Sequence, residues 1–170
     1  MIAPSRRALV DALATHDRLV EVGIGDRPSV ARALARRGCH VVAVDVSPGE
    51  DALAAAREAR DAAVPGSLRV RRGDVLALAD DGPDAVIDDA ADDPLADGDG
   101  VAVDAVYACH LPAELQRPTV EFARRLGAAC AFTTLGFEEP VVPVTRRALG
   151  EAVVYVARDD GPGGVASDRE

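Results

Sequence analysis

Beyond its first fifteen or so residues the chain alternates short, nearly unbroken apolar runs with segments whose apolar residues recur every three or four positions. Unbroken apolar runs read as parallel strands buried on both faces, and the three-to-four recurrence reads as amphipathic helices packed between them. The pattern predicts strands at 19–22, 39–46, 68–72, 101–109 and 128–134. A last strand at 151–157 (Glu-Ala-Val-Val-Tyr-Val-Ala), rich in β-branched and aromatic residues, is expected on an edge. A helix over 5–14 follows Pro4, with Ser5 as its N-cap. A second begins with Pro28 in its first position, turns Val30, Ala31, Leu34 and Ala35 inward and stops at Gly38. A third covers 50–63, and a fourth 112–126, with a break or kink at Pro118.

Strands alternating with helices predict an α/β fold: a Rossmann-like, doubly wound, mainly parallel sheet with helices on both faces, forming one domain over 1–157. Within it, 76–100 is crowded with Asp, Ala, Gly and Pro and reads as a solvated acidic insertion or long loop, interrupted by a candidate short strand at 85–88. The tail, 158–170, is expected to be disordered.

Chemistry enters where the first strand meets the second helix. Gly23 and Gly25, in Glu-Val-Gly-Ile-Gly, sit at that junction, where glycines let a ligand approach backbone that a Cβ would block and the helix start favours negative charge. Asp45 ends the next strand, where an acid would meet a ribose, and Asp74 follows the end of the third. A plainer reading stays open: the glycines merely permit a tight connection, Glu21 answers a helix dipole, and Asp45 caps the helix after Ser47-Pro48.

Charge narrows the classes. Net charge is −10, every basic residue is arginine, lysine and asparagine are absent, and Asp outnumbers Glu by 20 to 9. Such acidity suits a high-salt cytoplasm, where the Debye length falls to roughly 3 Å at 1 M and self-repulsion is screened. Free nucleic acid is a poor partner for a chain with no evident basic stripe. No run approaches the roughly 18 to 20 apolar residues of a membrane span, and Arg6, Arg7 and Asp11 break any signal-peptide pattern, so a cytoplasmic protein is expected. Cys39, Cys109 and Cys130 lack paired spacing, and with only His16, His40 and His110 beside them no metal site is predicted.

A dinucleotide fingerprint would place its third glycine at Pro28, which weakens NAD binding. Glu21-Val-Gly-Ile-Gly25 instead resembles the acid-x-Gly-x-Gly opening of Rossmann-like S-adenosylmethionine-dependent methyltransferases. That resemblance implies an adenosyl ligand held by Glu21, Gly23, Gly25, Asp45 and Asp74, with Asp45 on the ribose hydroxyls and Asp74 on the adenine amine. It departs from the pattern at Arg27, where a third glycine usually stands.

From Leu19 to about Val144 the chain also resembles uncharacterised protein family 0146 of archaea, many of whose members come from halophiles. The resemblance lies in Val20-Glu-Val-Gly-Ile-Gly25, Arg69-Val-Arg-Arg-Gly-Asp-Val75, 106–118 and Phe132-Thr-Thr-Leu-Gly136. It implies a methyltransferase-like fold without an assigned reaction.

In Tyr107-Ala-Cys-His-Leu-Pro112, after the fourth core strand, His110 is a candidate general base, Glu114 lies one turn further on, and Tyr107 is a candidate ring to stack on an acceptor. A core Tyr107 and a merely hydrogen-bonded His110 are the plainer readings. Cys109 and His110 are expected to point to opposite faces of a strand, which disfavours a Cys–His pair. Methyl transfer to an unknown acceptor, a non-catalytic ligand sensor or scaffold, and an NAD-linked protein are the functions compatible with these residues, in that order.

Overall fold

The computed structural model describes residues 2–81, 96–97, 100–136 and 138–159. In chain order the elements are α1 (Pro4–Leu13), β1 (Arg18–Val22), α2 (Ser29–Arg36), β2 (His40–Asp45), α3 (Glu50–Asp61), β3 (Ser67–Arg72), α4 (Val75–Asp81), β4 (Ala96–Asp97), β5 (Gly100–Val101), β6 (Ala105–Ala108), α5 (Ala113–Leu126), β7 (Ala129–Phe132), β8 (Thr145–Leu149) and β9 (Ala152–Arg158). Seven strands form one sheet in the order β3-β2-β1-β6-β7-β9-β8. β3, β2, β1, β6 and β7 run parallel, while β9 is antiparallel to both β7 and β8. Among the described residues no helix is long and apolar enough to cross a membrane.

The central strands are apolar on both faces because each face is covered. Leu19, Val41, Ala43 and Tyr107 pack with Leu9, Leu13, Val30, Leu34 and the alanines of α3 in one core. Val20, Val42, Val44, Val106 and Cys130 pack with Leu78 of α4 and Phe122 of α5 in the other. α3 meets the sheet through Ala52, Ala55, Ala56 and Ala59, small residues that let helix and strands approach closely.

Several sequence expectations are corrected. Ser5 lies inside α1, whose first position is Pro4, and no side chain caps that helix. The strand expected over 101–109 is divided: Val101 pairs with Ala96 in a separate two-stranded ribbon, and only 105–108 joins the sheet. Asp104 sets the entry to β6, its Oδ2 accepting the N–H groups of Asp17 and Arg18 at 3.0 and 2.9 Å. The acidic stretch opens as α4 rather than as loop; the candidate strand at 85–88 lies outside the described residues. α5 runs unbroken through Pro118. The last strand is internal, because β8, a hairpin partner the polar Thr145-Arg146-Arg147 start conceals, takes the edge. β9 includes Arg158, whose Nε donates to the Ala128 carbonyl at 3.1 Å, so chain expected to be tail is still sheet; 160–170 lie outside the described residues.

The loop after β2 is stitched to the turn after β1. Gly25 N–H donates to Asp45 Oδ2 at 2.7 Å, Gly49 N–H donates to the Gly25 carbonyl at 2.9 Å, and Asp51 N–H donates to Asp26 Oδ1 at 2.8 Å. The last bond caps α3 from outside its own segment, since Gly49 at the N-cap has no side chain. A Cβ at Gly49 would run into the Asp26 carboxylate.

Asp26→Ala is expected to lower stability by about 1 kcal/mol through loss of that cap. Phe122→Ala, which empties a fully buried ring site, is expected to cost about 3–5 kcal/mol. Urea unfolding of the variants in concentrated potassium chloride measures both.

Candidate functional site

Strand order reverses between β1 and β6, and in a doubly wound sheet this switch point opens a crevice beyond the strands' carboxyl ends. Gly23 and Gly25 flank it with φ of +75° and +53°, left-handed values that favour glycine. A Cβ at either would meet nothing within 4 Å, so conformation rather than crowding selects glycine here, and the turn faces open solvent.

Asp45 stands at the end of β2 with both carboxylate oxygens engaged: Oδ2 by Gly25 N–H and Oδ1 by Ser47 N–H at 2.8 Å. It therefore holds the glycine turn from the neighbouring strand. It does not cap α3, a task that falls to Asp26. Each oxygen keeps a further lone pair, which is what a vicinal diol requires. Asp74 is exposed after β3 and turns its Oδ1 to Leu76 N–H at 2.9 Å, at the start of α4. β2 and β3 are joined past their ends by Gly73 N–H donating to the Asp45 carbonyl at 3.0 Å. Two large apolar residues follow these acids unburied, Val46 at 63% exposure and Leu76 at 50%.

Glu21 does not line the crevice. It lies in β1 opposite Ala43 and Tyr107, 1% exposed, and its Oε2 accepts the Tyr107 hydroxyl at 2.7 Å. Burial pushes its carboxyl up to about 7, the Tyr107 bond works against that shift, and the nearby Asp45 charge adds to it. Tyr107 is a core residue, and burial together with Glu21 raises its hydroxyl further.

His110 leaves the strand pattern. Its φ is +56°, its N–H donates to Thr133 Oγ1 at 2.8 Å, and its Nδ1 lies 3.4 Å from the Thr134 carbonyl. Because β6 ends at Ala108 and the backbone turns left-handed at His110, Cys109 and His110 border the same cleft, contrary to the alternation expected of a strand. This cleft, about 690 Å³, lies between α1 and the β8–β9 hairpin, with Arg6, Thr134, Arg146 and Tyr155 among its lining residues. Cys109 is held protonated: burial, then Glu21, raises its thiol, against weaker effects of Arg6 and Arg27. Glu114 is exposed in the first turn of α5 and does not line the cleft.

Arg27, in place of a third glycine, lines a cavity of about 400 Å³ at the start of α2 with Arg6, Asp26 and Ser29. Arg6 borders both cavities. Sequence reasoning missed Arg6 and Asp26, which carry no local signal. Thr133 and Thr134 were visible only as part of the Phe132-Thr-Thr-Leu-Gly136 phrase. A groove of about 760 Å³ along α3 and β3 contains none of the predicted site residues. Among the described residues no group of three or more His, Cys, Asp or Glu is arranged to hold a metal.

Known proteins similar to this chain agree with the architecture. A methyltransferase from Geobacter sulfurreducens superposes with a TM-score of 0.56 at 15% identity, covering 93% of this chain and 79% of that one. An RNA methyltransferase from Salinibacter ruber, in complex with S-adenosyl-L-homocysteine, superposes with a TM-score of 0.51 at 20% identity over 96% and 97% of the two chains. The fold is thus the Rossmann-like α/β fold of methyltransferases. UPF0146 proteins from two strains of Halobacterium salinarum are 43% identical over 148 residues, 86% of this chain and 92% of theirs. The model of the uncharacterised protein family UPF0146 matches residues 6–76 and 67–159. On that match and that identity, the chain belongs to UPF0146.

Proposed function

We propose that the chain binds S-adenosylmethionine or a related adenosyl ligand across the carboxyl ends of β1, β2 and β3, and transfers its methyl group to an acceptor in the cleft at His110. One observation carries the reading: an open left-handed glycine turn at the switch point is tied by hydrogen bond to an acid at the next strand's end. The residues present fit the ligand. Asp45 has lone pairs left for ribose hydroxyls, Asp74 stands beside it for an adenine amine, and exposed Val46 and Leu76 supply apolar faces for a flat base. A solved neighbour of this fold, the RNA methyltransferase from Salinibacter ruber, carries S-adenosyl-L-homocysteine.

When bound, the ligand supplies an electrophilic methyl group on a sulfonium. The chain's part is to align an acceptor lone pair with it, a proximity effect. The Nδ1–H tautomer of His110, which the Thr134 carbonyl 3.4 Å away favours, would leave Nε2 to accept the acceptor's proton.

A second reading, a sensor that binds the ligand without chemistry, is favoured by one observation: of His110, Tyr107 and Glu114, only His110 reaches the cleft. An NAD-linked function is disfavoured twice, by Pro28 and by the reversed β9, which departs from the six-stranded order of dinucleotide-binding sheets.

Calorimetric titration in concentrated potassium chloride with S-adenosylmethionine, S-adenosylhomocysteine and NAD tests the proposal. The two adenosyl ligands are expected to bind and NAD is not. Asp45→Ala is expected to weaken adenosyl binding roughly 10–100-fold, for it loses a charge-assisted bond and frees the turn. His110→Ala is expected to leave affinity unchanged. Binding of neither adenosyl ligand, or full affinity in Asp45→Ala, overturns the assignment.

A further inference from the structure

Among the described residues Glu21 is the one buried acid, and its place is unusual. It lies opposite Tyr107 across β1 and β6, the two strands between which the sheet order reverses. It is two residues short of Gly23, roughly 7 Å along the strand, so a ligand on the turn rests above it. A buried carboxyl with the Tyr107 hydroxyl as its donor is costly to ionise, and a cation nearby would offset that cost.

We propose that Glu21, held by Tyr107 beneath the switch point, is the counter-charge by which the site distinguishes a cationic sulfonium ligand from its neutral thioether product. This rests on the adenosyl-ligand reading above.

The surroundings of Glu21 leave that role to the ligand. From β2, Asp45 opposes its ionisation; from β6, the Tyr107 hydroxyl favours it, and Cys109 is a protonated thiol. The buried faces of α2 and α3 present Val30, Ala31, Leu34 and Ala35, and four alanines, none of them charged. Arg6 of α1 and Arg27 ahead of α2 act on Cys109.

With its carboxyl pushed up to about 7, Glu21 is protonated below neutrality and charged above it. A cation over the turn stabilises the charged form and lowers that value, so sulfonium binding releases a proton and tightens as pH rises towards 7. The thioether sulfur is uncharged and gains nothing from the ionised carboxylate, and the α-ammonium group common to both ligands does not distinguish them. When the methyl group leaves, the positive charge leaves the ligand, and Glu21 recovers a proton from solvent. Discrimination against product is thus greatest above pH 7. Because the group is buried, salt screens this effect little.

The test is calorimetric titration of the full chain with S-adenosylmethionine and with S-adenosylhomocysteine, at pH 5.5 to 8.5 in concentrated potassium chloride. Glu21→Gln, which keeps the size and an acceptor for Tyr107, provides the reference for the ligands' own titration. Relative to Glu21→Gln, wild-type affinity for the sulfonium is expected to rise about tenfold across that range, the effect of one unit of carboxyl shift, with affinity for the thioether flat. Tyr107→Phe removes a bond that lowers the Glu21 value, so its rise is expected at higher pH. Matching sulfonium profiles in wild type and Glu21→Gln, with thioether still bound, overturn this inference and leave the adenosyl reading standing. Binding of neither ligand to the wild type overturns both.

Discussion

The site depends on one contact, the Gly25 N–H bonded to the Asp45 carboxylate. Gly23 N–H continues the β1–β2 ladder by donating to the Val44 carbonyl at 2.8 Å, but beyond it the Gly25 N–H would otherwise be left to solvent. Here β2 supplies the fixing: Asp45 takes the Gly25 N–H, the Gly49 N–H takes the Gly25 carbonyl, and Asp26 reaches across to cap α3. Turn, strand end and helix start form one unit, placed by the parallel pairing of β1 with β2. An acid at Asp45 therefore has a structural role as well as the one that a ribose would give it.

Electrostatics divide between surface and interior. The surface acids and arginines form exposed pairs such as Arg37–Asp11 and Arg124–Glu121, each of small value in stability and screened in salt. The interior holds a single acid among the described residues, and it is placed below the crevice rather than in it. Tyr107 and Glu21 satisfy one another across the reversal of strand order, two residues before the glycine turn.

The cleft at His110 has a different origin. β9 runs against its neighbours and brings the β8–β9 hairpin to the carboxyl end of the sheet, where α1 faces it. The Thr133 hydroxyl and the Thr134 carbonyl then hold His110 in a backbone conformation a strand would not give it. The cleft is thus built from segments remote in sequence, while the glycine turn and its neighbouring acids come from consecutive strand ends.

Much of this was legible locally. Unbroken apolar runs marked β1, β2 and β3, three-to-four spacing marked α1, α2, α3 and α5 but not α4, and Gly23, Gly25, Asp45 and Asp74 could be placed at strand ends by counting. These signals are local because burial on both faces of a parallel strand writes itself into consecutive residues. The sequence also carried the family phrases that made the fold recognisable. It did not show β8, whose polar edge pattern resembles loop, nor the division of 101–109, nor the partners of Glu21, His110 and Asp26. Those depend on which groups meet across 23, 25 or 86 residues of chain. Tertiary structure alone decided that Glu21 is a buried carboxyl bonded to Tyr107, because desolvation is a property of what packs around a residue and not of the residue itself.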